Sequence, residues 1–293
     1  MDGTVRTVKA FAKINLLLDI LSRRDDGYHD LFMIMQRVDL SDEVTVRLAP
    51  GADISLTCDK ADIPCDERNT AYKAARAFFD CAGTERGLVI EIKKRIPHAA
   101  GLAGGSADAA AVLTALRSML RPSMSDRQLI DIAASVGADV PFCCLGGTMA
   151  AQGIGEILTY LPQLDIPHLV LVKPPVSVST GQAYAAFDEA ERVRHLDCHG
   201  MFSAVRDGDL EGAAKRVGNV FEQFIDVRDR VHIKAVMRAH GALAACMSGS
   251  GPSVFGVFPD GESAAACAKE LEGTYKDTFL TRSVKSGTEI VTH

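Results

Sequence analysis

The stretch that most restricts how this chain can fold runs from Leu88 to Leu120. Alternating apolar residues from Leu88 to Ile96 predict a strand, and Pro97 stops it, because proline has no N–H to give to a sheet ladder. The loop His98 to Gly105 follows. An alanine-rich segment from about Ser106 to Leu120 then keeps helical spacing at Ala109, Val112, Leu113, Leu116 and Leu120. Within Gly101-Leu102-Ala103-Gly104-Gly105-Ser106, three glycines remove the Cβ atoms that would hold a ligand away from the backbone. The helix behind them aims its free N–H groups and the positive end of its dipole at the same point. Such a loop suits a phosphate, although a glycine-rich connector ahead of an alanine-rich helix has the same pattern. It is not GxxxxGK[ST], since Gly105 rather than a lysine precedes Ser106, and it does not match GxGxxG.

Upstream, Val8 to Ile20 alternates. Val8, Ala10, Ala12, Ile14, Leu16, Leu18 and Ile20 share one face; Lys9, Lys13, Asn15 and Asp19 share the other, with Phe11 and Leu17 among them. Period-two patterning of this length predicts a strand with one buried face. Residues 22–29 (SRRDDGYH) have turn composition, and 32–38 and 43–48 predict two more strands. Asn69 to Phe79 has helical spacing. So has Asp126 to Val136, with Gly137 placed to end it and Asp139 with Pro141 to open the next helix. Gly146, Gly147, Gly153 and Gly155 mark turns between short strands. The strand HLVLVKPP, within Pro162 to Pro175, makes a natural boundary, so two domains are expected, 1–156 and 157–293. The second shows helices near 180–190, 203–216 and 229–240, a strand in MSGSGPSVFGVF, a helix from about Glu262 and a closing strand near Thr278 to Lys285. Helices mixed with antiparallel strand patterns point to the α+β class.

With 293 residues, 47% hydrophobic and 24% charged, the chain can bury an ample core. A net charge of −6 argues against a nucleic-acid-binding face, which is ordinarily basic, and leaves room for a local positive pocket serving a small anion. No apolar run approaches the ~20 residues needed to cross a bilayer. Met1 to Lys9 lacks the basic-then-apolar order of a signal peptide, so no membrane partner is expected. Eight cysteines, at 58, 65, 81, 143, 144, 198, 246 and 267, include no CxxC pair, and their scatter fits reduced thiols in a cytoplasmic protein. His195, Cys198 and His199 cluster in sequence, but a fourth ligand at recognisable spacing is missing. A polar helix end is therefore expected there, and no metal site.

Four further motifs can carry chemistry. Lys13 and Asn15, two apart on a strand, point the same way about 6.6 Å from one another, and either converge on a ligand or face solvent. Asp139 has the position of a helix N-cap. A carboxylate there is also what a phosphoryl-transfer enzyme sets beside the attacking hydroxyl to orient it and take its proton. Met247-Ser248-Gly249-Ser250-Gly251-Pro252 permits close approach of a second backbone or of phosphates, or forms a tight turn into a strand. Gly27-Tyr28-His29 sets an aromatic ring and an imidazole on a turn, suited to stacking on a flat ring and hydrogen-bonding it.

Taken in order, AKINLLLDI, GYH, IPHAAGLAGGSADAA, GADVPF and MSGSGPSVFG resemble the GHMP kinase superfamily, over about Lys9 to Phe258. The AKINL strand and GYH turn set the resemblance in its branch for a cytidine-diphosphate alcohol of the non-mevalonate isoprenoid pathway. They set it apart from homoserine, galactose and mevalonate kinases. The resemblance implies an N-terminal ATP-binding domain of the ribosomal S5 domain 2-like type, a ferredoxin-like C-terminal GHMP domain, and a substrate cleft between them. It implies transfer of the γ-phosphate of ATP, with Mg²⁺, to the 2-hydroxyl of a methylerythritol moiety, in a monomer or homodimer. By position, Asp139 matches the catalytic base and Lys13 its partner, which would hold Asp139 ionised and stabilise charge at the hydroxyl. Pro97, Ala99, Ala100, Gly101, Leu102, Ala103, Gly104, Gly105 and Ser106 match the ATP loop. Asn15, His29, Thr180 and Tyr184 match substrate contacts, and Tyr28 the aromatic stacked on cytosine. Gly249 and Gly251 match the third motif, which supports the loop and the substrate diphosphate.

The usual loop reads close to GLGGGSSDAA, whereas Ala103 stands here for a glycine and Ala107 for a serine. Ala103 must keep φ negative or accept strain. Without a hydroxyl at 107, Ser106 and the backbone amides are left to meet phosphate. A kinase for another small alcohol, or a ligand-binding protein that has lost phosphoryl transfer, would share this frame; the presence of both Lys13 and Asp139 argues for catalysis.

Overall fold

A computed structural model describes residues 4–291; positions 1–3 and 292–293, the outermost residues of the two expected domains, lie outside the described residues. The chain opens with β1 (Val5–Arg23), β2 (His29–Ala49) and β3 (Ile54–Cys58), then α1 (Thr70–Ala82), β4 (Gly87–Lys93) and α2 (Gly104–Leu120). Next come α3 (Asp126–Val136), α4 (Val140–Leu145), β5 (Thr148–Gly153) and β6 (Ile157–Leu161). After β7 (Leu169–Lys173) come α5 (Thr180–Asp188), α6 (Cys198–Arg206), α7 (Leu210–Ala214) and β8 (Gly218–Asn219), which runs into a 3-10 turn, Val220–Gln223. The last elements are α8 (Arg228–Ala239), β9 (Ala244–Met247), β10 (Val254–Val257), α9 (Gly261–Glu272), β11 (Asp277–Thr281) and β12 (Thr288–Ile290).

Two sheets organise these elements into an α+β molecule. The larger, eight-stranded sheet runs β12-β1-β2-β4-β3, with β5 and β6 joined through β2 and β8 beside β1. The smaller runs β11-β7-β10-β9, all antiparallel. The crossing from one to the other falls between Leu161 and Leu169, whereas β8 and β12 return to the first sheet. Ala107, Ala109, Ala110, Ala111 and Ala115 are buried on α2, and these small side chains let the helix sit close on β1 and α1. On the second sheet Val170, Val172 and Val254 pack against Ile233 and Met237 of α8 and Leu271 of α9.

Several elements depart from their sequence pattern for identifiable reasons. Residues 32–38 and 43–48 belong to one strand, β2, because the polar break between them is a bulge. Phe11 pairs with Ser41 and Ala12 with Val38, so Asp39 and Leu40 are extra. Strand β4 stops three residues before Ile96. There Asp42 Oδ1 accepts the backbone N–H of Arg95 (2.6 Å) and Ile96 (2.8 Å) and draws the chain off the ladder. The helix expected over 203–216 is two helices, broken at Gly208 (φ 71°), with Asp209 capping the second through Gly212 N–H at 2.8 Å. MSGSGPSVFGVF is a hairpin of β9 and β10 rather than one strand, since Gly249 (φ 60°) and Gly251 (φ 91°) turn the chain. The closing strand ends at Thr281, and β12 lacked a recognisable pattern of its own. The polar residues of β1 are covered as well: Lys13, Asn15 and Asp19 are all buried, the last two completely. They do not share one side, because Leu16 is an extra residue against β2; beyond it Leu17 and Asp19 change face while Leu18 and Ile20 join the side of Lys13.

Candidate active site

The glycine loop stands where the two sheets meet. α2 begins at Gly104, and Ala103 serves as its N-cap with φ 56°, so the strained alternative is the one adopted; Ala99 is also left-handed, at 48°. For alanine that backbone costs ~1–2 kcal/mol per residue, and the fold must hold it in place. Leu102 does part of the holding. Its side chain is buried in the core and its carbonyl accepts Lys13 N–H at 3.1 Å. The Met247–Pro252 turn supports the loop from the other side, with Ser248 Oγ donating to Gly101 O (3.0 Å) and Ser253 N–H to Ala100 O (3.3 Å). Asn219 fixes that turn in its own place, its Nδ2 donating to the carbonyls of Met247 (2.9 Å) and Gly249 (2.7 Å).

Facing the start of α2 across the cleft are Lys13 and Asp139. Lys13 Nζ lies 3.6 Å from Asp139 Oδ2 and donates to Asn15 Oδ1 at 2.8 Å. Asp139 occupies the N-cap position of α4, yet its side chain makes no capping hydrogen bond. The carboxylate is thus free of the structural task its position suggests. It is one-third exposed, toward a cavity of ≈ 440 Å³ that Lys13, Ser106, Thr180, Tyr184 and Gly249 also line. Asn15 stands behind this pair, buried, and acts on the cavity by orienting Lys13.

On the far side of the loop a second cavity, ≈ 320 Å³, is lined by Pro97 through Gly105 and by Asn69, Thr70, Lys94 and Asp108. Its floor is a buried charge cluster. Lys94 Nζ donates to Asp42 and, at 2.7 Å, to Asp108 Oδ2. Burial works against the Lys94 ammonium, but Asp108 and Asp42 outweigh it and hold it above its usual value. Burial also pushes the Asp108 carboxyl well above the usual carboxylate range, because one ammonium does not offset two buried negative charges. Asp108 Oδ1 is left without a partner in the wall of this cavity. A third cavity, ≈ 480 Å³, opens from the first toward the GYH turn, past Tyr28, His29, Tyr184 and Asp188. His29 Nε2 meets Asp188 Oδ1 at 2.6 Å and its ring stacks on Tyr184 at 4.8 Å, while Tyr28 is 60% exposed. Burial pushes the Tyr184 hydroxyl up to about 12.

The fold therefore brings Lys13, Asp139, Ser106, Thr180, Tyr184, Gly249 and Gly251 around one cavity, with Tyr28 and His29 at its extension. Thr180 Oγ1 and Ser250 Oγ, 2.9 Å apart, close its rim. Sequence reasoning passed over Asn69, Thr70, Lys94, Asp108 and Asp188 as site residues. Lys94 is one of three consecutive cations before the loop, but it alone keeps the phase of the buried Leu88, Ile90, Ile92 and Ile96, a period-two signal that could have singled it out. His195 and Cys198 both turn to the buried Asp19, at 3.2 and 3.9 Å, and pin the segment before α6 to β1. Among the described residues no group of three His, Cys, Asp or Glu side chains is placed to hold a metal, and no helix is long and apolar enough to cross a membrane.

Known proteins resemble the chain along its length. The family of GHMP kinases N terminal domains matches residues 69–147, and that of GHMP kinases C terminal matches residues 232–277. A 4-diphosphocytidyl-2-C-methyl-D-erythritol kinase of Clostridium botulinum is 42% identical over 279 residues, spanning 94% of this chain and 99% of the relative. One from Clostridium kluyveri is 43% identical over 283 residues, 94% and 99% of the two chains. The crystal structure of a 4-(cytidine 5'-diphospho)-2C-methyl-D-erythritol kinase superposes with a TM-score of 0.79 at 30% identity, covering 94% of this chain and 98% of the other. A homoserine kinase from Cytophaga hutchinsonii reaches 0.80 at 20% identity over 98% of both, a likeness of fold alone.

Proposed function

The chain belongs to the GHMP kinases, in the family of 4-diphosphocytidyl-2-C-methyl-D-erythritol kinases, and on that footing we propose that it transfers the γ-phosphate of ATP to the 2-hydroxyl of 4-diphosphocytidyl-2-C-methyl-D-erythritol. The observation that carries the reading is Lys13 set 3.6 Å from an uncapped Asp139, beside the mouth of α2. The amides of the glycine loop and the start of α2 receive the phosphates. The cavity beyond Asp139, ending at Tyr28, His29 and Tyr184, receives the diphosphate and the base.

The alcohol would lie between Asp139 and the γ-phosphate. Its oxygen forms the new bond to phosphorus as the bond to the bridging oxygen breaks, ADP leaves, and Asp139 takes the hydroxyl proton and passes it to solvent. The Lys13 ammonium steadies the Asp139 carboxylate and the charge that develops on the attacking oxygen. Asn15 fixes the direction of that ammonium. Positioning and charge do most of the catalysis, as in other phosphoryl transfers.

The site fits Mg²⁺ delivered on the nucleotide rather than held in a protein cage. Ser106 is the loop's hydroxyl-bearing residue in the lining of the cavity, and no three-residue cluster of metal-binding side chains occurs among the described residues. When bound, the ion supplies neutralisation of charge on the β- and γ-phosphates. The test is ADP release with and without 4-diphosphocytidyl-2-C-methyl-D-erythritol, run beside homoserine and a sugar, for the wild type and Asp139→Asn. Turnover with the cytidine compound, and its near-complete loss in Asp139→Asn with nucleotide binding retained, is expected. Turnover with homoserine instead, or near-wild-type turnover in the variant, refutes the substrate or the base respectively.

A further inference from the structure

Behind the helix that follows Asp139 lies a buried arginine that the reaction above leaves unused. Arg37, on β2, is completely buried. Its Nη2 donates to Gly287 O at 2.7 Å, its Nη1 to Cys143 Sγ at 3.3 Å, and its guanidinium carbon stands 5.8 Å from the centroid of the Phe142 ring. Its Nε has no partner. Among the described residues, none of its hydrogen bonds or ion pairs goes to a carboxylate. Burying a cation among neutral partners costs stability, so the position calls for a compensating role.

The partners identify that role. Phe142 and Cys143 belong to α4, the six-residue helix that begins directly after Asp139, and Cys143 N–H donates to Asp139 O at 3.0 Å. Gly287, gripped by the other arm of the guanidinium, packs its backbone against the carbonyls of Cys143 and Cys144. Arg37 thus holds α4 from the side away from the cleft, while Lys13 holds the Asp139 carboxylate from the cleft side. Burial pushes the guanidinium down from its usual value, and the Asp139 charge is only the last of the influences that oppose it.

The groups facing Asp139 are few. Lys13 of β1 is 3.6 Å from it, Tyr184 of α5 lines the same cavity, and Cys143 lies one turn further along its own helix, where Arg37 reaches it. Burial pushes the Tyr184 hydroxyl to about 12 and the Cys143 thiol to about 11, so both are neutral near pH 7. Lys13 is a cation lining the cavity beside Asp139, and Lys94 and Arg68 line the cavity across the loop.

Resting on the assignment of Asp139 as the base, we propose that Arg37 is a positioning residue for phosphoryl transfer, bracing α4 and so fixing the place of Asp139 at its N-terminus. The test compares Arg37→Met, Arg37→Lys, Asp139→Asn and the double variant Arg37→Met/Asp139→Asn. Arg37→Met should lose about tenfold or more in kcat, with KM for ATP and for the alcohol changed by less than about twofold. Arg37→Lys, which keeps a donor for Gly287 O, should recover part of that loss. In the Asp139→Asn background the same Arg37→Met change should alter the residual kcat by less than about twofold, because a residue acting through Asp139 has nothing left to act through. An equal fold-loss in both backgrounds, a rise in both KM values with kcat kept, or no recovery in Arg37→Lys overturns the proposal. A near-wild-type Asp139→Asn removes the base assignment itself, a separate failure. Where Arg37→Met does not fold, Arg37→Gln takes its place with the same outcomes.

Discussion

Gly101→Ala tests how the glycine loop is held against the Met247–Pro252 turn. Gly101 has φ 73°, and the left-handed backbone alone would cost alanine ~1–2 kcal/mol. Its new Cβ would also overlap the Ser248 carbonyl oxygen and lie 3.1 Å from the carbonyl carbon and 3.2 Å from Gly251 O. These neighbours are backbone, so no side chain can swing aside. Overpacking of this kind adds about 1–3 kcal/mol, and the sum is ~2–5 kcal/mol. If the turn yields instead, the two loops separate by roughly 1 Å, a displacement that can remove about 100-fold of catalytic efficiency. Gly83→Ala is the control. Gly83 has φ 59° at the end of α1 and would place its Cβ with nothing within 4 Å, so it carries the backbone cost alone. Urea unfolding of both variants, with kcat/KM for ATP, separates the contributions. Equal stability loss in the two variants, together with wild-type kcat/KM for Gly101→Ala, would refute the contact between loop and turn.

Two further outcomes are expected. Tyr28→Ala should raise KM for the cytidine substrate about tenfold, the worth of one base stacked on an aromatic ring, and leave KM for ATP nearly unchanged; equal rises in both would exclude stacking. Asp108→Asn should remove a pH dependence of stability. The folded-state carboxyl is raised above 3.8, so its contribution is fully present below that pH and declines as pH climbs toward the higher folded value. A thermal scan of the wild type should show that decline and Asp108→Asn should lack it; matching slopes would mean that Asp108 is ionised beside Lys94.

What the sequence made legible was local. The strand, the proline, the three glycines and the alanine-rich helix lie within one stretch, and each element's chemistry depends on its immediate neighbours. The Gly249–Gly251 turn could be found for the same reason, though not as the joint between two short strands. The Lys94 cluster was hidden because its members come from β2, the end of β4 and α2: alternation sets Lys94, unlike Lys93, in phase with Ile92 and Ile96, but it names neither of the carboxylates that Lys94 meets. Arg37 looked like an ordinary strand charge for the same reason. On β1, alternation separated the two faces only as far as Asn15. Leu16 is an extra residue against β2, so Leu17 joins the core of Val8 to Ile14 while Leu18 and Ile20 turn to the side of Lys13, and period two says nothing about where such a bulge falls. Nor does it say what borders the strand: Ser248 accepts the Asn15 N–H and Asn219 pairs with Leu18 along the same edge, and Lys13 and Asn15 are interior residues. The Asp39–Leu40 bulge imitated a break between strands, since two extra residues and a turn leave the same polar gap.

The pairing of β12 with β1 has a consequence for biosynthesis. Val8 and Ala10 meet Ile290 and Thr288, so the strand carrying Lys13 receives its outer neighbour from the far end of the chain. At ~5–20 residues per second, translation leaves that edge uncovered for on the order of tens of seconds after β1 has emerged. An open edge invites pairing with another nascent chain. Lys9 is the charged residue along it, still half exposed in the finished fold and 4.0 Å from Glu289 on the strand that eventually covers it. The lysine that guards the edge of the growing chain ends as half of the ion pair across the finished ladder.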